Sequence, residues 1–456
     1  MLPLPLREVA RLCGGALARG NPGQTITAVT TDSRSVPPGS LFIALRGERF
    51  DGHDHAASAL AGGAVAVMLE TGRESMDFPA ATGVITVKDT LTGLQRLASG
   101  YRDRIDPRVV AITGSNGKTT AKEFTRAVLS ARHRTHATKG NLNNHIGLPL
   151  TMLSHDPADS HGVYEMGMNH PGEIAALAAL AKPDVAVVTF LGTAHIEFFG
   201  TREAIAEEKL SLFAALPADG VAVINLESPF SGLALARAPG RRITTGIGRG
   251  DVRAENAGFT DDGRACFEVV HGNESAEVEL AVPGRHMIQN ALLALAVGVI
   301  EGVPLREGAA ALAGCTPGGG RLNVRVWRGI AILDDSYNAN PDSMKAALDT
   351  LKARPAEGRR FAVLGGMGEL GAYAEQGHDE VGRHAAGLGL DFIAVVGERA
   401  RGIANAAPAA KWFPHQESCA RWLAGELREG DVLLVKGSRG SAMEIVLREL
   451  EKEVPA

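Results

Sequence analysis

The chain has 456 residues, enough for about three domains at roughly 100–200 residues each. Its composition, 45% hydrophobic and 22% charged, excludes global disorder, and a formal net charge of −5 excludes the basic field of a non-specific nucleic-acid binder. Cys13, Cys266, Cys315 and Cys419 are widely separated with no C-x-x-C, which argues against a disulfide framework or a zinc site and fits a reducing, cytoplasmic setting. Residues 1–7 are interrupted by prolines and do not read as a secretory signal. The longest apolar run, 291–300, is too short to span a bilayer and is expected as a buried helix.

In chain order, the turn signal at 36–40 precedes a strand expected at 41–45, followed by a small-residue helix at 56–63 and a strand at 64–69. Asp106-Pro107 breaks the pattern and is taken as the first domain boundary. From Arg108 onward strands alternate with helices: 109–112, 185–190 and 221–225 read as buried strands of a mainly parallel sheet. Residues 253–282 alternate polar and apolar, as an antiparallel extension would. Pro317-Gly318-Gly319-Gly320 is the second boundary, and strands expected at 330–333, 361–364, 392–396 and 432–435 with intervening helices suggest a doubly wound third unit. The fold expected is α/β in three domains, 1–107, 108–316 and 317–456.

Thr113-Gly114-Ser115-Asn116-Gly117-Lys118-Thr119-Thr120 sits between an expected strand and an expected helix. Glycines let backbone N–H groups turn inward around phosphate oxygens, and the helix N-terminus adds partial positive charge. Lys118 would reach the β/γ phosphates of ATP and the Thr119 hydroxyl would coordinate Mg²⁺. The general phosphate-loop pattern has glycine where this chain has Ile112, which separates it from switch GTPases.

This shortened loop is one of several ordered blocks that resemble the Mur ligase family over essentially the whole chain. The others are Thr31-Asp32-Ser33-Arg34, Pro38 to Phe42, Asp51-Gly52-His53, Gly140-Asn141-Leu142-Asn143-Asn144-His145, Glu165-Met166-Gly167, Ala194-His195-Ile196-Glu197, Pro283-Gly284-Arg285-His286, Asp334-Asp335-Ser336-Tyr337-Asn338-Ala339-Asn340 and Lys436-Gly437-Ser438-Arg439. The D-D-S-Y-N-A-N block is similar to the branch that adds D-alanyl-D-alanine. The diaminopimelate- or lysine-adding sibling usually carries D-Y-A-H-T-P and D-N-P-R, and neither is present.

The resemblance implies an N-terminal α/β domain for a UDP-sugar substrate, a central phosphate-loop ATPase domain and a C-terminal Rossmann-like domain. It implies an ATP-dependent ligase that joins D-alanyl-D-alanine to UDP-N-acetylmuramoyl-tripeptide through an acyl phosphate, with two Mg²⁺ ions, as a cytoplasmic monomer without membrane insertion. Alone, Glu165 reads as a turn-capping glutamate, His195 as an ordinary core or surface histidine and Lys209 as a solvated lysine after two acids. The family instead makes Glu165 and His195 metal ligands and Lys209 a CO₂-carbamylated lysine. Ser33 and Arg34 resemble the UDP-binding pair, and a guanidinium suits a diphosphate. Asn143 and Asn144 would contact the muramoyl-peptide or line the cleft.

Gly114 to Thr120, Asn290, Arg321 (phosphate), Asp335 (ribose), Tyr337 (base or sugar) and Asn338 would bind ATP. Lys436, Ser438 and Arg439 would hold either the dipeptide carboxylate or the tripeptide tail. Met287 and Phe190 stand where relatives often have asparagine, so no contact is carried over there. A zinc reading of His195-x-Glu197 lacks a third ligand, and a metal reading of His53-Asp54-His55 lacks a partner. The rivals are the sibling ligase and a nucleotide switch without ligase chemistry. The switch would need a guanine-reading N-K-x-D, and no Asn-Lys pair occurs.

Overall fold

A computed structural model describes residues 1–74, 76–261, 263–316 and 318–452. Pro317, which opens the expected break, and residues 453–456 at the end of the expected third domain lie outside the described residues.

The central sheet has nine strands. Arg108–Thr113 lies inside it, between His161–Glu165 and Val185–Val188, and both pairings are parallel. Its residues are β-branched or small and buried on both faces, as a strand covered by helices on each side must be. Lys118–Ser130 packs across one face against Arg285–Ile300. That second helix contains the expected 291–300 run and buries its apolar side chains nearly all round, so it behaves as an interior helix. Val252–Phe259, Ala265–His271 and Glu274–Glu279 form the antiparallel extension read from residues 253–282, and the first of them joins Arg241–Ile247 in parallel.

The strand expected at 185–190 stops at Val188. Thr189 turns its hydroxyl to the carbonyls of Thr113 (3.3 Å) and Asn116 (2.5 Å), and the Phe190 carbonyl accepts from Ser115 N–H. These two residues leave the sheet to support the glycine loop.

A five-stranded sheet precedes this unit, with only Ala16–Arg19 antiparallel. The helix Thr90–Ile105 follows it and is fastened to the central unit. Tyr101 donates to the His155 carbonyl (2.8 Å), Arg102 donates to the carbonyls of Ala181 and Lys182 (both 3.2 Å), and Gln95 donates to the His145 carbonyl (3.1 Å). The helix ends at Asp106, which takes a left-handed φ of 44°.

The last sheet has six strands. Ile330–Asp335, Val432–Lys436, Arg360–Gly365 and Phe392–Val396 sit at the four expected positions and run parallel. Two more were not read from the sequence. Asn323–Trp327 pairs antiparallel with Ile330–Asp335 through a turn whose residues Arg328 and Gly329 have φ of 51° and 73°, and Lys411–Phe413 is a short edge strand. Among the described residues no helix is long and apolar enough to cross a membrane.

At the strand starts, away from the glycine loop, histidines pack together. The His136 and His155 rings lie 4.9 Å apart, His136 Nε2 contacts the Thr151 carbonyl (3.0 Å), and His155 pairs with the Tyr164 hydroxyl (2.8 Å). Burial, reinforced by His155, lowers the His136 pKa from 6.5 to about 4. Its folded pKa is depressed, so its contribution to stability is intact above about 6.5 and is lost as pH falls towards 4. The melting temperature should therefore drop between pH 7 and pH 5, and less so in His136→Gln. Equal drops in both would show that this histidine does not carry the effect.

Candidate active site

The glycine loop is forced by its surroundings. Gly114 has φ 153°, and a Cβ there would lie 1.9 Å from Thr189 Oγ1. Gly117 has φ 84°, and its Cβ would lie 2.4 Å from Asn290 Oδ1. The helix that follows has no side-chain cap at its N-terminus, so its first N–H groups are free to bind an anion. Lys118 Nζ folds back onto the Gly114 carbonyl (2.7 Å). Burial lowers its pKa, and the Glu165 carboxylate opposes that shift.

Glu165 ends the strand paired with Arg108–Thr113, opposite Ile112. One carboxylate oxygen accepts from Thr119 Oγ1 and the other from Asn143 Nδ2, both at 2.8 Å, and the side chain is buried. A hydroxyl and a carboxylate converging beside a phosphate loop suit Mg²⁺, which takes one or two carboxylates and completes its shell with phosphate and water. Among the described residues no three His, Cys, Asp or Glu groups could hold a metal unaided, so phosphate oxygens would have to contribute. Asn143 is committed to Glu165, and Asn144 Oδ1 accepts from Ile146 and Gly147 N–H; both residues line the cleft.

His195 stands at φ 68° where the chain leaves Val185–Val188 for a short helix. Its Nδ1 lies 2.7 Å from Glu369 Oε2. Lys209, in the last turn of Arg202–Leu210, overturns the reading as a solvated lysine. It is 0% exposed and its Nζ has no hydrogen-bond partner. Burial lowers its pKa well below the ordinary lysine range, with the Lys118 charge adding to the shift. The helix tucks the residue inward because Ile205, Ala206 and Leu210 face the core with it, while Glu208 turns away to accept from Gly172 and Ile174 N–H.

The cleft is about 990 Å³ and its far wall belongs to the C-terminal unit. Arg321 stacks over the Tyr337 ring (4.4 Å). Lys436 donates to Asp335 (2.6 Å) and to the Asn338 carbonyl (2.9 Å), so the group expected on the peptide side and the one expected at the ribose are ion-paired with each other. Ser438 and Arg439 line the cleft, Arg439 donating to Glu444 (3.2 Å). Asn290 reaches the cleft beside Gly117. Ser33 and Arg34 are not brought to this cleft. Arg34 forks onto Asp32 (2.9 and 2.8 Å) in the N-terminal unit, with its side chain 88% exposed. His53 has both ring nitrogens engaged, by Asp51 and by the Glu70 N–H, and is a core residue.

Contacts across the cleft hold the wall in place. Asn116 and Asn340 exchange amide hydrogen bonds (2.7 and 3.3 Å). Asp342 accepts from Thr193 N–H and Oγ1 (2.8 and 2.7 Å). The Glu369 carbonyl accepts from Glu197 N–H (3.2 Å). Thr193, Glu369 and Arg399 were not read from the sequence. The glycine-rich run after Arg360–Gly365 was the available signal for Glu369, since loops at strand C-termini bind ligands in such sheets.

Family models match along the chain: Mur ligase family, catalytic domain, over residues 25–102; Mur ligase middle domain over 112–298; and Mur ligase, glutamate ligase domain, over 320–439. The chain is 38% identical to UDP-N-acetylmuramoyl-tripeptide–D-alanyl-D-alanine ligase of Escherichia coli, over 99% of both chains. It is similar to the crystal structure of MurF from Acinetobacter baumannii, with TM-score 0.91, 31% identity and 99% of both chains covered. It is also similar to MurF of Thermotoga maritima in complex with ADP, with TM-score 0.84, 31% identity and coverage of 93% and 97%.

The Thr193–Asp342 contact should govern closure. Asp342→Ala strands two donors, a loss of about 1.5–3 kcal/mol for bonds to a charged acceptor. The radius of gyration by solution scattering should rise and the KM for ATP should increase, with Thr193→Val giving a smaller effect in the same direction. Unchanged scattering and KM in Asp342→Ala would contradict this role.

Proposed function

The chain belongs to the Mur ligase family, and from that premise we propose that it is the ATP-dependent ligase that joins D-alanyl-D-alanine to UDP-N-acetylmuramoyl-tripeptide. The product is the UDP-muramoyl-pentapeptide used in peptidoglycan synthesis. The observation that carries the chemistry is the convergence of Lys118, Thr119 and Glu165 at the base of a cleft walled by Arg321, Tyr337 and Asn338. Whole-length likeness to enzymes named for this reaction supports the choice of substrates. The division into units 1–107, 108–316 and 317–456 is proposed with it, and so is a monomer, since one chain supplies every element of the cleft. A cytoplasmic setting is proposed as well, since ATP and the UDP-linked tripeptide are soluble nucleotides.

The γ-phosphoryl group of ATP and the terminal carboxylate of the tripeptide are both anions. The site must therefore supply positive charge and alignment more than acid–base power. The loop N–H groups and Lys118 hold the phosphates, and Arg321 adds a guanidinium from the opposite wall. Thr119, Glu165 and His195 would hold Mg²⁺, which when bound neutralises phosphate charge. Transfer gives an acyl phosphate, the amine of D-alanyl-D-alanine attacks its carbonyl carbon, and phosphate leaves. A closed wall keeps water from the acyl phosphate. Asn116 and Asn340 join that wall to the phosphate loop itself, so closing and binding ATP are coupled.

A buried, unpartnered ammonium is costly, which favours the neutral amine, and CO₂ can add to such an amine with loss of a proton. Carbamylation of Lys209 would replace it with an anion beside the cations of the site. Lys209→Met should leave the melting temperature unchanged or higher while turnover falls at least about a hundredfold, given the size of single electrostatic contributions in such sites. A carbamate ¹³C resonance should appear in wild type after ¹³C-bicarbonate and be missing in the variant. A stable variant with full turnover would remove Lys209 from the mechanism.

The activity itself is tested by incubating the protein with Mg-ATP, UDP-muramoyl-tripeptide and D-alanyl-D-alanine. Phosphate release should require the dipeptide, the pentapeptide should appear by mass, and Lys118→Ala should abolish both. Turnover only with UDP-muramoyl-dipeptide and a diamino acid would instead identify the sibling reaction.

A further inference from the structure

Three loops leave the same end of the C-terminal sheet side by side, because Gly365 pairs with Val396 and Leu364 with Lys436. They converge around Gly366. Gly366 O accepts from Ser438 N–H (3.0 Å) and from Ser441 Oγ (2.8 Å). The turn carrying Arg399 crosses directly over Gly366, where a Cβ would lie 2.8 Å from Arg399 Cβ and 3.3 Å from its carbonyl carbon. Arg399 is thus held at its backbone although its side chain is exposed. Its guanidinium passes over Gly440, with Nη1 3.8 Å from the position of a Cβ there.

Arg399, Ser438, Gly368 and Gly440 line the cleft that also contains Lys118. Of the other arginines of that cleft, Arg439 is paired with Glu444, and Arg321, stacked on the Tyr337 ring, is the one assigned above to the phosphates. Arg399 has no ion-pair, hydrogen-bond or ring partner among the described residues. The wall thus presents the Glu369 carboxylate to His195 and an unpaired guanidinium at Arg399.

That polarity matches a zwitterion whose amine enters first. We propose that Arg399 is the specificity-determining residue that binds the C-terminal carboxylate of the incoming dipeptide, beside Gly368 and Gly440. The proposal rests on the ligase reading above. A guanidinium offers two parallel donors that match a carboxylate. With its amine at the acyl carbon, a single amino acid would hold its carboxylate about 3.5 Å short of the position a dipeptide reaches.

The test compares D-alanyl-D-alanine with its C-terminal amide, D-alanyl-D-alaninamide, in wild type, Arg399→Gln and Arg399→Lys. In wild type the KM for the amide should exceed that for the acid by about 10- to 100-fold, the range for losing a charge-assisted hydrogen bond. In Arg399→Gln the KM for the acid should rise by that factor, the KM for the amide should stay put and the ratio should approach one. The KM values for ATP and UDP-muramoyl-tripeptide should not move. Arg399→Lys, which keeps the charge and loses the fork, should fall between the two. A variant that keeps the wild-type ratio, or one that raises the KM for the tripeptide instead, overturns the assignment while leaving the ligase reading intact. A wild type that turns over neither dipeptide overturns both.

Discussion

The parallel pairing of Arg108–Thr113 with His161–Glu165 is the constraint on which the site depends. It sets Glu165 opposite Ile112, where the chain is about to enter the glycine loop. From there the carboxylate meets the Thr119 hydroxyl at the first turn of the next helix. A slip of one residue would turn Glu165 to the other face of the sheet and leave the loop without its oxygen partner. The neighbouring strand ends early for the same reason. Thr189 and Phe190 leave the ladder and spend their hydrogen bonds on the loop. The sheet thus fixes the loop from both sides, and it is the loop that fixes the phosphates.

The C-terminal wall is attached differently. Its polar links to the central unit gather at the cleft: amide pairs, a carboxylate on a threonine and a histidine–glutamate contact, while Pro341–Ala353 also packs against Arg285–Ile300. Polar links of this kind can be exchanged for water, so relative motion of the two units is the natural expectation. The N-terminal unit is held by the buried Tyr101 and Arg102, which reach carbonyls of the central unit. One partner is thus suited to act as a fixed arm and the other as a jaw.

What was legible in the sequence follows the range of the forces involved. The glycine loop was readable because its requirements are local: positive or unusual φ at Gly114 and Gly117, a strand before and a helix after. The buried strands were readable from short β-branched runs. The neighbours of Lys209 alone, Glu207 and Glu208, suggest a solvated face, and only the family resemblance pointed to a site role; tertiary packing draws the lysine inside. Asn116 and Asn340 are 224 residues apart, and no periodicity links them. Arg34 kept the expected chemistry, a forked guanidinium, but spends it on Asp32. The strand Asn323–Trp327 escaped because its hairpin turn is the Arg328-Gly329 pair rather than an asparagine–glycine signal.

The central claim is that this cleft activates a carboxylate by phosphoryl transfer before the amide bond forms. The most direct measurement supplies UDP-muramoyl-tripeptide labelled with ¹⁸O in its terminal carboxylate, together with ATP and D-alanyl-D-alanine, and follows the label into inorganic phosphate by mass. Formation and breakdown of an acyl phosphate carry one carboxylate oxygen into each phosphate released, so labelled phosphate should accumulate in step with product. Phosphate released without label would mean that water takes the phosphoryl group, and would contradict the account.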